Sequence, residues 1–233
     1  MITLYSGLVV RQPLVEVLIP EFEKATGERL HVTFEPTTVL LEQIDAGERP
    51  DLFLGVTASA RVLRESGVLA PESVTEIAVS AVGFARLPQD PGPADGSPET
   101  FVQYLLDAPA VAYSLSGASG LHFAEMMRHR GVLDRLDGRA VRLAAGLTAE
   151  AVLDGRATVA IQQISELRSV PGPHVVEPIP HDLQSYARFA VGVRPGASTA
   201  AREFAQFLAS ERALTAYAGV GLSAPQGAVA ERQ

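Results

Sequence analysis

The stretch 111–120, VAYSLSGASG, decides how this chain reads. An apolar strand runs straight into a turn of serine and glycine, and a helix beginning LHFAEMM follows. A turn of this kind aims backbone N–H groups and small hydroxyls at one point, at the positive end of a helix. It is a neutral-donor site for a small anion, with Ser114, Ser116, Gly117 and Ser119 as its contacts.

Working outward, strands and helices alternate on both sides of the turn. Upstream, strands are expected at 2–5, 30–34 and 52–55, with helices at 13–26, 37–46 and 58–66. Leu14, Leu18 and Phe22 recur every four residues on the first helix, and Gly27 ends it. This order implies a parallel sheet covered on both faces. A long strand is expected at 77–86, then a loop at 88–96 rich in Pro, Gly and Asp. Ser97-Pro98 opens the next helix with a cap and a first-turn proline. A second set follows: strand 110–114, helix 120–130, strand 140–143, helix 148–154 and strand 158–162. Another long strand covers 186–193, and 198–218 forms C-terminal helices. No tandem repeat is present.

Two such sets joined by two long strands imply an α/β protein of two lobes. Each lobe has a mixed sheet flanked by helices, and two strands cross over. Lobe I is expected at 1–82 plus 188–233 and lobe II at 83–187. Ligands of open α/β sheets sit beyond the carboxyl ends of the strands, so the expected site is a cleft between lobes. Four segments follow apolar strands: 6–11, 35–38, 114–120 and 162–165. They put Ser6, Val10, Arg11, Thr37, Thr38, Gln162 and Ser165 beside the serine turn as candidate ligand contacts. Helix capping alone also puts Ser and Thr at such places.

Composition narrows the function. The 233 residues are 47% hydrophobic and carry a net charge of −8. That balance gives a sizeable core and no basic footprint for nucleic acid. No cysteine is present, so disulfides, thiolate catalysis and cysteine metal sites are excluded. Lys24 is the only lysine, near a helix end, where a solvated charge is the plain reading. No metal and no cofactor is expected. No apolar run approaches the ~18 residues of a membrane span, and no leader pattern precedes the first strand. The chain as written is expected in the cytoplasm, or in the periplasm if a leader was removed.

Charged residues near the donor segments leave alternatives open. Arg11, near a helix start, opposes the helix dipole and wants an anion: Glu35, Asp45 or a ligand carboxylate. His122 and His129 are seven apart on one helix, about 10 Å along its axis, too far to chelate one metal. They read as surface residues, with a proton-transfer role open to His122. Glu166 reads as a helix-start cap or, beside an anion, as a proton acceptor. Gly219-Val220-Gly221-Leu222-Ser223-Ala224 fits GxGxxA but follows a helix, so it is no dinucleotide fingerprint. GxSxG is incomplete around every serine of the turn, and no P-loop, HExxH or EF-hand pattern occurs.

Several segments together resemble molybdate-type periplasmic solute-binding proteins. LIPEFEKATGERLHVTFEPTTVLLEQIDAGERPDLFLG follows that family's N-terminal lobe. VAYSLSGASGLHFAEMM lies at its second-lobe turn. VVEPIPHDLQSYARFAVGV resembles its return crossover, and EFAQFLASERALTAYAGVGLSAP its C-terminal helices. The resemblance implies a type II periplasmic-binding-protein fold that closes on a hinge. It also implies an oxyanion site of serine hydroxyls and N–H groups without metal, serving ATP-driven import through a membrane permease. Thr37 stands where that family has a first-lobe serine, and Gln162 where molybdate binders have a tyrosine. The serine at the start of the first helix falls near Val10. These departures fit a wider anion such as a carboxylate. Relatives of molybdate binders include isomerases of unsaturated tricarboxylates such as aconitate. On that alternative Glu35, His122 and Glu166 are the candidate bases, and Arg11 and Arg188 the carboxylate clamps. A third reading is an effector-binding module that acts through a regulatory protein.

Overall fold

A computed structural model describes residues 1–225 and divides them into two compact units, 1–80 with 187–225, and 81–186. In the first unit β1 (Ile2–Ser6) lies between β2 (Leu30–Phe34) and β3 (Leu52–Val56), parallel to both. The pairs Ser6–Phe34 and Ser6–Leu54 set the carboxyl ends of the three strands level. β4 (Thr75–Arg86) leaves this unit within its own length. β9 (Tyr186–Val193) then runs antiparallel to β3.

The helix after β1 departs from the expected simple amphipathic helix. It starts at Arg11, widens into a π segment over Leu14–Leu18, and resumes as α over Ile19–Thr26; we call the whole α1. Pro20 is the cause. It has no N–H, and its ring would press on the carbonyl of Glu16 in regular α geometry. The wider turn, with Ile19 N–H bonding the Leu14 carbonyl, makes room for that ring. α1 ends at Gly27, whose φ of 73° only glycine adopts without strain. α2 (Thr37–Asp45) and α3 (Thr57–Glu65) follow β2 and β3. One core packs Leu14, Leu18 and Phe22 on Ile2, Leu4, Leu54 and Phe204. A second packs Leu40, Ile44 and Leu63 on Phe53.

In the second unit β5 (Val111–Ser114) lies between β6 (Ala140–Leu143) and β7 (Val159–Gln163), parallel to both. The far part of β4 pairs antiparallel with β7 and with β8 (Val175–Pro178), four residues the sequence reading missed. Its helices are α4 (Pro98–Asp107), α5 (Ala118–His129), α6 (Ala149–Leu153) and α7 (Ile164–Arg168). Phe84, Phe101, Tyr113, Phe123 and Met127 centre its core. α8 (Thr199–Leu208) and α9 (Glu211–Gly219) return to the first unit. The N–H groups of Ala201 and Ala213 bond the Ser198 and Ser210 hydroxyls that cap them.

Candidate functional site

In the first unit short loops follow β1 and β2, and β3 runs directly into α3. Gly7 N–H bonds the Leu54 carbonyl at 2.8 Å, and Glu35 N–H bonds the Ser6 carbonyl at 3.2 Å. These bonds hold the 3-10 turn Leu8–Val10 and the start of α2 at one sheet edge. The turn leaves the N–H groups of Leu8 and Val9 without partners inside it. Thr37 and Thr38 open α2, and Thr37 Oγ1 accepts a long bond, 3.4 Å, from Val56 N–H. Two expected contacts do not present their side chains. Ser6 is fully buried and its hydroxyl donates to the Gly7 carbonyl. Val10 is fully buried in the core, so only its backbone remains. Arg11 is exposed and rests on the Phe34 ring, 5.8 Å from its centre. Among the described residues it forms no ion pair with Glu35 or Asp45.

In the second unit the serine turn is held by its own first residue. Ser114 Oγ accepts from Gly117 N–H at 2.9 Å and from Ser116 N–H at 3.3 Å. Ser116 Oγ donates to the Ala144 carbonyl at 2.8 Å, so that hydroxyl ties the turn to the end of β6. α5 begins at once, and its N-cap, Gly117, brings no side chain to the first turn. The first-turn N–H groups of α5 therefore keep no capping acceptor from that residue. Ser119, in the same turn, is 1% exposed and its hydroxyl has no hydrogen-bond partner. Gly120 lets α5 approach: a Cβ there would stand 1.8 Å from the Ser114 carbonyl oxygen.

β7 ends beside this turn, because Tyr113 and Ile161 are paired in parallel register. Gln162 is a latch and not a free amide. Its Oε1 accepts from Thr148 N–H at 2.7 Å and from Thr148 Oγ1 at 3.0 Å, and its Nε2 donates to the Gly146 carbonyl at 3.2 Å. Thr148 was missed by the sequence reading; its one local signal is a threonine ahead of the AEAVL helix. Ser165 is 2% exposed, and its hydroxyl, like that of Ser119, has no partner. Glu166 reaches back so that its Oε2 accepts from Gln163 N–H at 3.3 Å. The Q-x-x-E spacing makes this the reach-back half of a capping box at the start of α7. Desolvation raises the Glu166 carboxyl to about 7, against the opposing hydrogen bonds of Gln163 N–H and the Gln162 amide. No charged side chain contributes to that shift. The residue as a whole keeps partial exposure, while its carboxyl is set in dense protein.

Residues 2–222 match the family model described as "Bacterial extracellular solute-binding protein". The chain belongs to this family. It is 30% identical, over 89% of its own length and 82% of the relative's, to a protein from Pseudomonas sp. named aconitate isomerase. Among solved structures it superposes on the periplasmic molybdate-binding protein of Azotobacter vinelandii with a TM-score of 0.77, at 19% identity over 97% of this chain and 100% of that one. The substrate-binding domain of a molybdenum ABC transporter protein from Clostridium difficile gives 0.69, at 18% identity over 97% and 99%. The fold is that of the type II periplasmic binding proteins.

Within this solute-binding fold, two of the remaining candidates are engaged elsewhere. His122 Nε2 bonds the Leu183 carbonyl at 2.8 Å, which ties its ring to the 181–184 loop. Arg188 is held by Glu76, with Nε at 3.0 Å and Nη2 at 2.6 Å from Oε2, so a clamp on a ligand carboxylate would first have to break that pair. Glu35 is partly exposed at the first unit's strand ends. No cluster of three or more His, Asp or Glu able to hold a metal occurs among the described residues. No helix among them is long and apolar enough to cross a membrane.

Proposed function

We propose that this solute-binding protein binds a small anion, a molybdate-like oxyanion or a small carboxylate, through neutral donors at the carboxyl ends of its parallel strands. The 114–120 turn and Ser165 form the principal donor set, and Gln162, spent on Thr148 and Gly146, holds the loop beside them in place. Thr37, Thr38 and the N–H groups of 8–11 form the second, with the exposed Arg11 as a cation for a carboxylate ligand. One observation carries the reading: the buried hydroxyls of Ser119 and Ser165 have no partner in the protein. A buried hydroxyl left unpaired costs on the order of 1–3 kcal/mol, and an anion accepting from both removes that cost. With hydroxyl and N–H donors alone, selectivity comes from donor count and cavity size. The partner of such a receptor is a membrane permease driven by ATP; a regulatory protein takes that place if the chain acts as a sensor.

The test is a thermal-shift and calorimetric screen against molybdate, tungstate, sulfate, phosphate, citrate, cis-aconitate and trans-aconitate. Binding to the folded state raises the melting temperature by mass action. One of these anions should bind, and Ser119→Ala should weaken it about tenfold or more, the cost of one charge-assisted hydrogen bond. Unchanged affinity in Ser119→Ala would remove the serine turn from the site.

The similarity to an aconitate isomerase favours a second reading, an isomerase of an unsaturated di- or tricarboxylate. Glu166, partly exposed and pushed up to about 7, suits a general base at neutral pH. Its carboxylate would take a proton from the carbon next to the double bond. The double bond shifts, and the carboxyl, after exchanging its proton with water, returns one to the far carbon, with no oxidant or cofactor consumed. Incubation with trans-aconitate in deuterated water decides it: deuterium entry and a cis product support turnover, and unchanged trans-aconitate with bound stoichiometry excludes it.

A further inference from the structure

Glu166 is a carboxyl group set directly against Gln162 and next in sequence to Ser165. The Ser165 hydroxyl is buried and unpaired, and Gln162 lies at the end of β7. The β5–β7 register sets the end of β7, just ahead of Ser165 and Glu166, beside the end of β5, from which the Ser114–Gly120 turn with its unpaired Ser119 hydroxyl starts. An ionised carboxylate there would repel the anion these donors attract. We propose that the anion binds together with a proton carried by Glu166. This deepens the anion-binding reading and rests on it.

The surroundings support a carboxyl that changes its charge. The charged and titratable side chains on neighbouring elements have other partners. Glu177 of β8 is bonded by Arg86 of β4 at 2.7 and 3.0 Å. His174, ahead of β8, bonds the Leu167 carbonyl, and His122 of α5 bonds the Leu183 carbonyl. Glu125 of α5 lies 3.9 Å from His129, and Glu150 of α6 acts on Arg156. β7 carries no charged residue. On α7 itself Arg168 is exposed and does not contribute to the state of Glu166. No cation therefore holds Glu166 ionised, and burial favours the neutral form. The neutral acid also adds one O–H donor to a site made of donors.

The experiment measures affinity for molybdate and for trans-aconitate from pH 6.5 to 9, where both anions stay fully ionised. If only the protonated site binds, the apparent affinity falls by the fraction of Glu166 still protonated. That fall approaches tenfold per pH unit above about 7. Calorimetry in two buffers of different ionisation enthalpy should report close to one proton taken up per anion at pH 8, with no variant needed. Glu166→Gln is a sparing substitution, because glutamine also serves at the third helical position of a capping box. It should bind with the wild-type affinity seen at low pH and lose the pH dependence and the proton uptake. Wild-type affinity that is flat over this range, or a decline equal in Glu166→Gln, overturns the proposal and leaves the anion-binding reading intact. Failure of wild type to bind either anion or any other of the panel at any pH overturns both.

Discussion

Replacing Gly120 with alanine sets two physical effects against each other, and the structure says which one wins. By intrinsic helix propensity alanine gains about 1 kcal/mol over glycine inside a helix. At this position, however, the new Cβ would stand 1.8 Å from the Ser114 carbonyl oxygen and 2.7 Å from its carbon. Ordinary contact begins at 3.4 Å, so the overlap is 1.6 Å against backbone, which cannot rotate away. Either β5 or the start of α5 must move by more than an ångström. Overpacking of side chains costs about 1–3 kcal/mol, and a clash with main chain belongs at or above the top of that range. The net expectation is a loss of roughly 2–4 kcal/mol, or roughly 5–15 °C in melting temperature for a chain of this size. Thermal unfolding followed by circular dichroism measures it. Gly96→Ala is the control, since nothing lies within 4 Å of a Cβ there. Because the displaced element carries Ser119, anion affinity should fall with stability. A Gly120→Ala protein as stable as wild type would mean that α5 does not approach the end of β5 as described.

Two further substitutions test the scaffold of the site. Gln162→Ala removes the acceptor of Thr148 N–H and leaves that buried donor and the Gly146 carbonyl unpaired; urea unfolding should show a loss of about 2–4 kcal/mol, and a neutral result would refute the latch. Asp51 tests acid behaviour. Burial pushes its carboxyl up, but Thr3 N–H, the Thr3 hydroxyl and Arg194 outweigh burial and hold it below the usual aspartate value. A lowered folded pKa stabilises fully above the unfolded value near 3.8 and is lost as pH falls through the folded one. Asp51→Asn should therefore be less stable than wild type at pH 7, with the gap closing below about pH 4. A gap that persists unchanged at pH 2 would show that charge is not what Asp51 contributes.

The strand order and the serine turn were legible because both rest on local chemistry. Ile2–Ser6, Leu30–Phe34 and Leu52–Val56 are apolar runs bounded by turn residues, and glycine at 27 ends a four-residue periodicity. β9 is eight residues long and was placed to the residue. β8 was missed because four residues, VVEP, carry too little alternation and end in proline. The π segment was missed because a proline inside a helical pattern signals a break, while the way the chain absorbs it depends on packing. Side-chain direction was the harder part. Ser6 and Ser119 look alike in sequence, each a serine at a strand-to-helix junction. One spends its hydroxyl on the Gly7 carbonyl and the other keeps it unpaired. Which of them happens is decided by contacts 1–2 Å in scale, and no spacing in a sequence encodes that.

Glu166 shows the same limit from the other side. Capping and proton exchange stood as alternatives for it, because each asks only for a carboxylate three residues past a strand end. The structure shows the cap: the reach-back bond to Gln163 N–H sets the carboxyl beside Gln162, with no cation acting on it. At 3.3 Å that bond is long for N–H···O, and desolvation outweighs it together with the Gln162 amide, so the carboxyl stays above the usual glutamate value.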